Sequence, residues 1–150
     1  MNYTLENVTS KPHLWENSDP VRPELGVAYK TYPGRLVFGL RDENNEYVAF
    51  CCVARSLAVP QDITSLSNFT SQDGTIYVPY TVWSLKKGAG RTIINELLSL
   101  VRDSDTEVNR VVTLSPKTEM AKNFHLRNGA REISSSVVTA VINISGLVTN

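Results

Sequence analysis

Residues 75–85 read T-I-Y-V-P-Y-T-V-W-S-L. A run so rich in β-branched and aromatic side chains is a strand, yet Pro79 sits inside it. Proline has no amide to give to a ladder, so an interior strand carries one only where a bulge frees that position. The expectation is a long strand, Thr75 to Leu85, with a bulge or local splay near Pro79. It runs directly into Lys86-Lys-Gly-Ala-Gly-Arg91, and then into Ile93, Ile94, Leu97, Leu98 and Val101, an apolar stripe at helical spacing that ends near Asp103.

The remaining segments are read against this strand, loop and helix. Residues 1–20 are polar and broken by Pro12 and Pro20, an irregular arm. Arg22 to Tyr32 begins at Pro23 and stops before Pro33-Gly34, a short helix. Arg35–Leu40 and Tyr47–Arg55, joined by the turn Asp42–Glu46, form a β-hairpin. Residues 57–73 are turn-rich, with a helical turn after Pro60. Val108–Leu114 is a strand. Ser115-Pro116 reads as N-cap and first position of a helix that Asn128-Gly129 closes. Arg131–Ser134 and Val137–Ile144 make a last strand pair. This order is an α/β (α+β) domain with one mixed sheet, a single unit over residues 1–150.

Composition excludes several classes. Fifteen basic residues balance fifteen acidic ones, so no global field recruits nucleic acid or an anionic membrane. No apolar run is long enough to span a bilayer, and the first residues carry no signal-peptide pattern. The sequons at Asn2, Asn7, Asn68 and Asn143 are then chance occurrences, and the expected location is cytoplasmic. Cys51 and Cys52 are adjacent in a strand and so face opposite ways, as reduced core residues. Two cysteines and two histidines without ligand spacing leave no metal site. His13, in the proline-bounded arm, is unremarkable.

Two features carry chemistry. Glycines in the loop let its amides turn outward, the helix start adds partial positive charge, and Lys86, Lys87 and Arg91 add formal charge, which together suit a pyrophosphate. The loop is neither a Walker loop nor a dinucleotide fingerprint, because the required glycine and lysine positions differ. The second feature is Asn123-Phe-His-Leu-Arg-Asn-Gly-Ala130, where His125 lies at the edge of an apolar face with Met120, Ala121 and Phe124. Trp83, Phe124 and Met120 read as core residues. Tyr77 and Tyr80 either line a pocket or pack against a helix.

The bulged strand, the loop Leu85-Lys-Lys-Gly88-Ala-Gly90 and the striped helix resemble the GNAT acyltransferase superfamily. Its usual loop is [RQ]-x-x-G-x-[GA]; the glycines match and the first position departs. Tyr80-Thr-Val-Trp-Ser84, Leu114-Ser-Pro116 and the N-F-H-L-R-N-G-A segment are similar, more closely, to the C-terminal catalytic domain of the malonyl-CoA decarboxylase family. The resemblance covers about residues 22–145, without that family's helical N-terminal domain. It implies a mixed, mostly antiparallel sheet flanked by helices, with splayed central strands that receive acetyl-CoA or malonyl-CoA, no metal, and a homodimer as one option. The implied binding residues are Val82, Trp83, Leu85, Lys86, Lys87, Gly88, Ala89, Gly90, Arg91, Thr92, Ser115, Asn123 and Phe124. The implied catalytic residues are His125 and a strand hydroxyl, Thr81 or Ser84. Because residues 75–85 hold no Asp or Glu to act as a base, malonyl-CoA-type decarboxylation ranks slightly ahead of acetyl transfer to an amine, with CoA binding without turnover as a third reading.

Overall fold

The computed structural model describes residues 2–103, 107–116, 131–135 and 139–143, with side chains as far as Thr113. Seven strands form one sheet: β1 (Thr4–Asn7), β2 (Arg35–Arg41), β3 (Tyr47–Ser56), β4 (Ile76–Ser84), β5 (Arg110–Pro116), β6 (Arg131–Ser135) and β7 (Thr139–Asn143), in the spatial order β1-β2-β3-β4-β5-β7-β6. Every neighbouring pair is antiparallel except β4 and β5. Among the described residues three α-helices accompany the sheet: α1 (Val27–Lys30), α2 (Ile63–Phe69) and α3 (Ala89–Asp103).

The proline in β4 has the expected consequence. Opposite β3, Thr81 pairs with Cys52 and Pro79 with Val53, so Tyr80 is the extra residue of a bulge. On its other side β4 meets β5 only at Ile76–Arg110 and Tyr77–Val111. Beyond those two pairs the strands part into a wedge, and β5 turns instead to β7.

Over β2, β3, β4 and the start of β5 the sheet buries both faces. On one face α3 lays Ile93, Ile94, Leu97, Leu98 and Val101 over Phe38, Leu40, Cys51, Val53 and Val111, the stripe read from the sequence. The opposite face packs Val37, Phe50, Cys52, Val78, Tyr80 and Trp83 against Val8, Trp15 and Leu66. Cys51 and Cys52 thus face opposite ways, both reduced and buried. Burial pushes the Cys51 thiol well up and the Cys52 thiol up to about 12. The native protein should therefore leave a thiol reagent such as DTNB unreacted until denaturant is added.

Several expectations are corrected. The arm is not wholly irregular: Thr4–Asn7 adds an edge strand to β2, and a 3-10 turn covers Pro12–Leu14. The helix expected over 22–32 shrinks to α1, because the amides of Val21 and Arg22 turn back onto Asp19. Ser115 and Pro116 do not start a helix but pair with Ala140 and Thr139 in the β5–β7 ladder. Gly90 belongs to the first turn of α3, not to the loop before it. The remainder of the helix expected to Arg127 lies outside the described residues. No helix among the described residues is long and apolar enough to cross a membrane.

Entry into β4 depends on one close approach. A Cβ at Gly74 would meet the Ser56 amide and would lie 2.7 Å from the Arg55 carbonyl carbon. Backbone cannot yield as a side-chain end does, so Gly74→Ala should destabilise the fold by about 1–3 kcal/mol in urea unfolding.

Candidate active site at the bulge of the central strand

The loop after β4 is built as its glycines require. Gly88 has φ +83°, a left-handed turn that costs a side-chain-bearing residue about 1–2 kcal/mol. Ala89 donates to the Lys86 carbonyl and Thr92 to the Gly88 carbonyl, so the chain enters α3 at once. Of the amides in the first helical turn, those of Gly90 and Arg91 have no carbonyl of their own helix to bond. Lys87 and Arg91 are exposed beside them. Lys86 instead reaches Asp42 (3.4 Å) and Glu46 (3.3 Å). Those two carboxylates raise its pKa, Glu46 more than Asp42, and they offset part of the loop's positive charge.

The two candidate hydroxyls separate. Ser84 ends β4 beside Ala49, on the α3 face, and is exposed. Thr81 lies on the other face and is only 2% exposed. Its hydroxyl donates to Asp19, at 3.0 Å from Oδ1 and 2.9 Å from Oδ2. Asp19 comes from the arm, 62 positions earlier. It also accepts the Val21 and Arg22 amides at 2.8 and 3.0 Å and the Lys30 ammonium at 2.9 Å. The Asp19 and Lys30 side chains are 2% and 4% exposed, so the pair is buried. Burial alone would push the Asp19 carboxyl up, but the Arg22 amide, the Lys30 ammonium and the Val21 amide outweigh it and hold the group below its ordinary value. Asp19 is thus a carboxylate at neutral pH, and four donors fill its acceptor capacity.

Two cations surround the bulge. Arg22 donates from Nε to the Tyr80 carbonyl at 2.6 Å, so the bulged residue's oxygen is held by the arm. Lys30 sits 5.2 Å over the Trp83 ring. Trp83 packs on Phe50, and Tyr80 meets Tyr29 edge-on. Tyr77 joins the α3 core beside Phe38, so both β4 tyrosines are packing residues. Val82 is partly buried on the α3 face, and Thr92 lies one turn into α3. Ser115 has its backbone on the diverging part of β5. Asn123, Phe124, Met120 and His125 lie outside the described residues.

Sequence reasoning did not find Asp19, Arg22 or Lys30. One local signal was present: Asp19-Pro20 is a turn-initiating pair whose carboxylate takes amides two and three residues on. Nothing local says that the same carboxylate meets Thr81.

No family model matches the chain, and no curated protein matches it by sequence. Solved structures do. The malonyl-CoA decarboxylase of Agrobacterium vitis is similar at 19% identity and TM-score 0.56, over 82% of this chain and 35% of that one. The chain therefore spans about a third of that protein's length. GphF, a GNAT-like decarboxylase solved with isobutyryl-CoA, is similar over 93% of this chain and 97% of its own at TM-score 0.68 and 13% identity. The Campylobacter jejuni N-acetyltransferase PseH, solved with acetyl coenzyme A, is similar over 95% and 97% at TM-score 0.60 and 11% identity. The fold is that of the GNAT superfamily. At these identities the likeness is one of fold, and it covers decarboxylases and acetyltransferases alike.

Proposed function

We propose that the protein is a GNAT-fold enzyme that binds an acyl-CoA in the wedge between β4 and β5 and transfers the acyl group to an amine. The wedge supports the CoA half of this reading. Past Tyr77, β4 has no strand partner on its β5 side among the described residues, so its backbone groups there suit an extended, amide-bearing chain such as pantetheine. The Gly88 turn, the Gly90 and Arg91 amides at the start of α3, and the Lys87 and Arg91 side chains suit a pyrophosphate. Trp83 is an interior residue, so its contribution to such binding is from its backbone. Lys86 contributes least, because its charge is already shared by two acids.

One observation carries the choice of reaction: the single proton of the Thr81 hydroxyl is committed to Asp19. A hydroxyl in that state accepts hydrogen bonds and does not donate them. It cannot donate to a departing carboxylate or to an enolate oxygen, the part that decarboxylation asks of it. It can accept an N–H. In the transfer, the amine nitrogen attacks the thioester carbonyl, the C–N bond forms, the C–S bond breaks, and the amine gives up one proton while the CoA thiolate gains one. His125 is the proposed acid for that thiolate. Asp19 is a poor base because its pKa is depressed; it fixes the Thr81 hydroxyl and the Lys30 ammonium instead.

Decarboxylation of a malonyl thioester remains the second reading, favoured by the segment Asn123–Ala130. The test is mass spectrometry of acetyl-CoA and malonyl-CoA incubated with the protein, each with and without a panel of small amines. Amine-dependent release of CoA and an N-acyl product is expected. Conversion of malonyl-CoA to acetyl-CoA without an amine, and no transfer, would replace the first reading with the second.

A further inference from the structure

The direction of one peptide group decides where the wedge ends. The Leu85 amide donates to the Val48 carbonyl at 2.8 Å, and the β3–β4 register runs on from that pair through Trp83–Phe50 to Thr81–Cys52. In an antiparallel ladder the hydrogen-bonded pairs come at every second residue. The backbone groups of Leu85, Trp83 and Thr81 therefore face β3, and those of Val82 and Ser84 face away from it, into the wedge. The Thr81 amide and the Tyr80 carbonyl belong to one planar trans peptide, so they point opposite ways. The Tyr80 carbonyl thus faces the side from which β5 has parted.

That carbonyl is already taken. Arg22 Nε donates to it at 2.6 Å, and Arg22 is only 7% exposed. Its own amide is tied to Asp19 at 3.0 Å. Asp19 is in turn fixed by the Lys30 ammonium and the Thr81 hydroxyl, so Arg22 rests on a rigid support. Pulling the guanidinium away would leave a buried carbonyl without its donor. Arg22 therefore stands across the wedge, between the β4–β5 seam at Tyr77 and the open backbone groups of Val82.

We propose that Arg22 is the floor of the wedge and sets acyl length, admitting a short acyl group and opposing a long one. The proposal rests on the reading of the wedge as an acyl-CoA site. With the pyrophosphate at the Gly90 and Arg91 amides, the ligand runs along β4 from Ser84 toward Tyr80, and its acyl end arrives at Arg22. A two-carbon acyl group leaves the bond between Arg22 and Tyr80 in place. A longer apolar chain either displaces Arg22 from that carbonyl or lies against a buried cation, and both cost free energy.

Titration calorimetry on the full chain with CoA, acetyl-CoA and hexanoyl-CoA tests this. The wild type should bind hexanoyl-CoA roughly tenfold more weakly than acetyl-CoA. Arg22→Met, which removes the charge and the donor, should erase that difference. Arg22→Gln is shorter but keeps an N–H donor for the Tyr80 carbonyl; it should narrow the difference, and it decides the matter if Arg22→Met does not fold. Damage to the fold alone would weaken CoA and both thioesters together and leave their ratio unchanged. Equal binding of the two thioesters by the wild type overturns the proposal, and so does a ratio that neither variant moves. If the wild type binds neither CoA nor a thioester, the reading of the wedge falls and takes the proposal with it.

Discussion

Lys30→Met should cost the fold about 3–5 kcal/mol, because it leaves Asp19 buried with its charge uncompensated. The two side chains are almost wholly enclosed and 2.9 Å apart. Asp19 also holds Thr81 and the turn at Val21 and Arg22, so the loss spreads to the bulge. The double variant Asp19→Asn with Lys30→Met should recover much of the loss, since a neutral amide needs no counter-ion. Urea unfolding of the two variants beside the wild type checks this, and a double variant no better than the single would show that the pair is not the cause. The same group predicts an acid sensitivity. The Asp19 carboxyl is depressed in the folded state, so its contribution is complete above its unfolded pKa of about 3.9 and is lost as pH falls through the lower, folded value. Asp19→Asn should flatten stability against pH below about 4.

His125→Ala should lower turnover by about 10²–10⁴-fold, the usual worth of a positioned acid or base. Under the proposed reaction the lost step is protonation of the CoA thiolate, so affinity for CoA should stay within a few-fold by calorimetry. The free thiol of released CoA can be followed with DTNB, since Cys51 and Cys52 are buried. Thr81→Val should also reduce turnover, and Thr81→Ser should restore it if the hydroxyl's acceptor role is what matters. Full turnover in His125→Ala would remove that residue from the mechanism and leave the fold and the wedge untouched.

What was legible in the sequence was local. Pro79 in an otherwise strand-like run requires an irregularity, and the bulge falls at Tyr80. The stripe from Ile93 to Val101 packs as its spacing demands. Adjacent cysteines in a strand must divide between two faces, and they do. What was not legible depends on distant parts of the chain. The absence of an acid from residues 75–85 tilted the sequence reading toward decarboxylation, yet the arm brings Asp19 onto the strand from outside it. Four residues, Thr4–Asn7, have too little apolar alternation to announce a strand and become one by pairing with β2. Ser115-Pro116 carries a helix-start signature, but the pairing with β7 continues through it; tertiary contact overrides a two-residue cue.

The two-pair seam between β4 and β5 has a consequence for exchange with deuterium. The interior strand of a seven-stranded sheet would ordinarily hold its amides against solvent for as long as the domain stays folded. Along β4 the amides facing β3 should behave in that way, while those facing the wedge past Tyr77 should exchange at early times. A single strand would then show slow and fast amides in alternation. Any ligand that fills the wedge and takes up those N–H groups should slow the fast set alone, residue by residue, tracing its path along the strand.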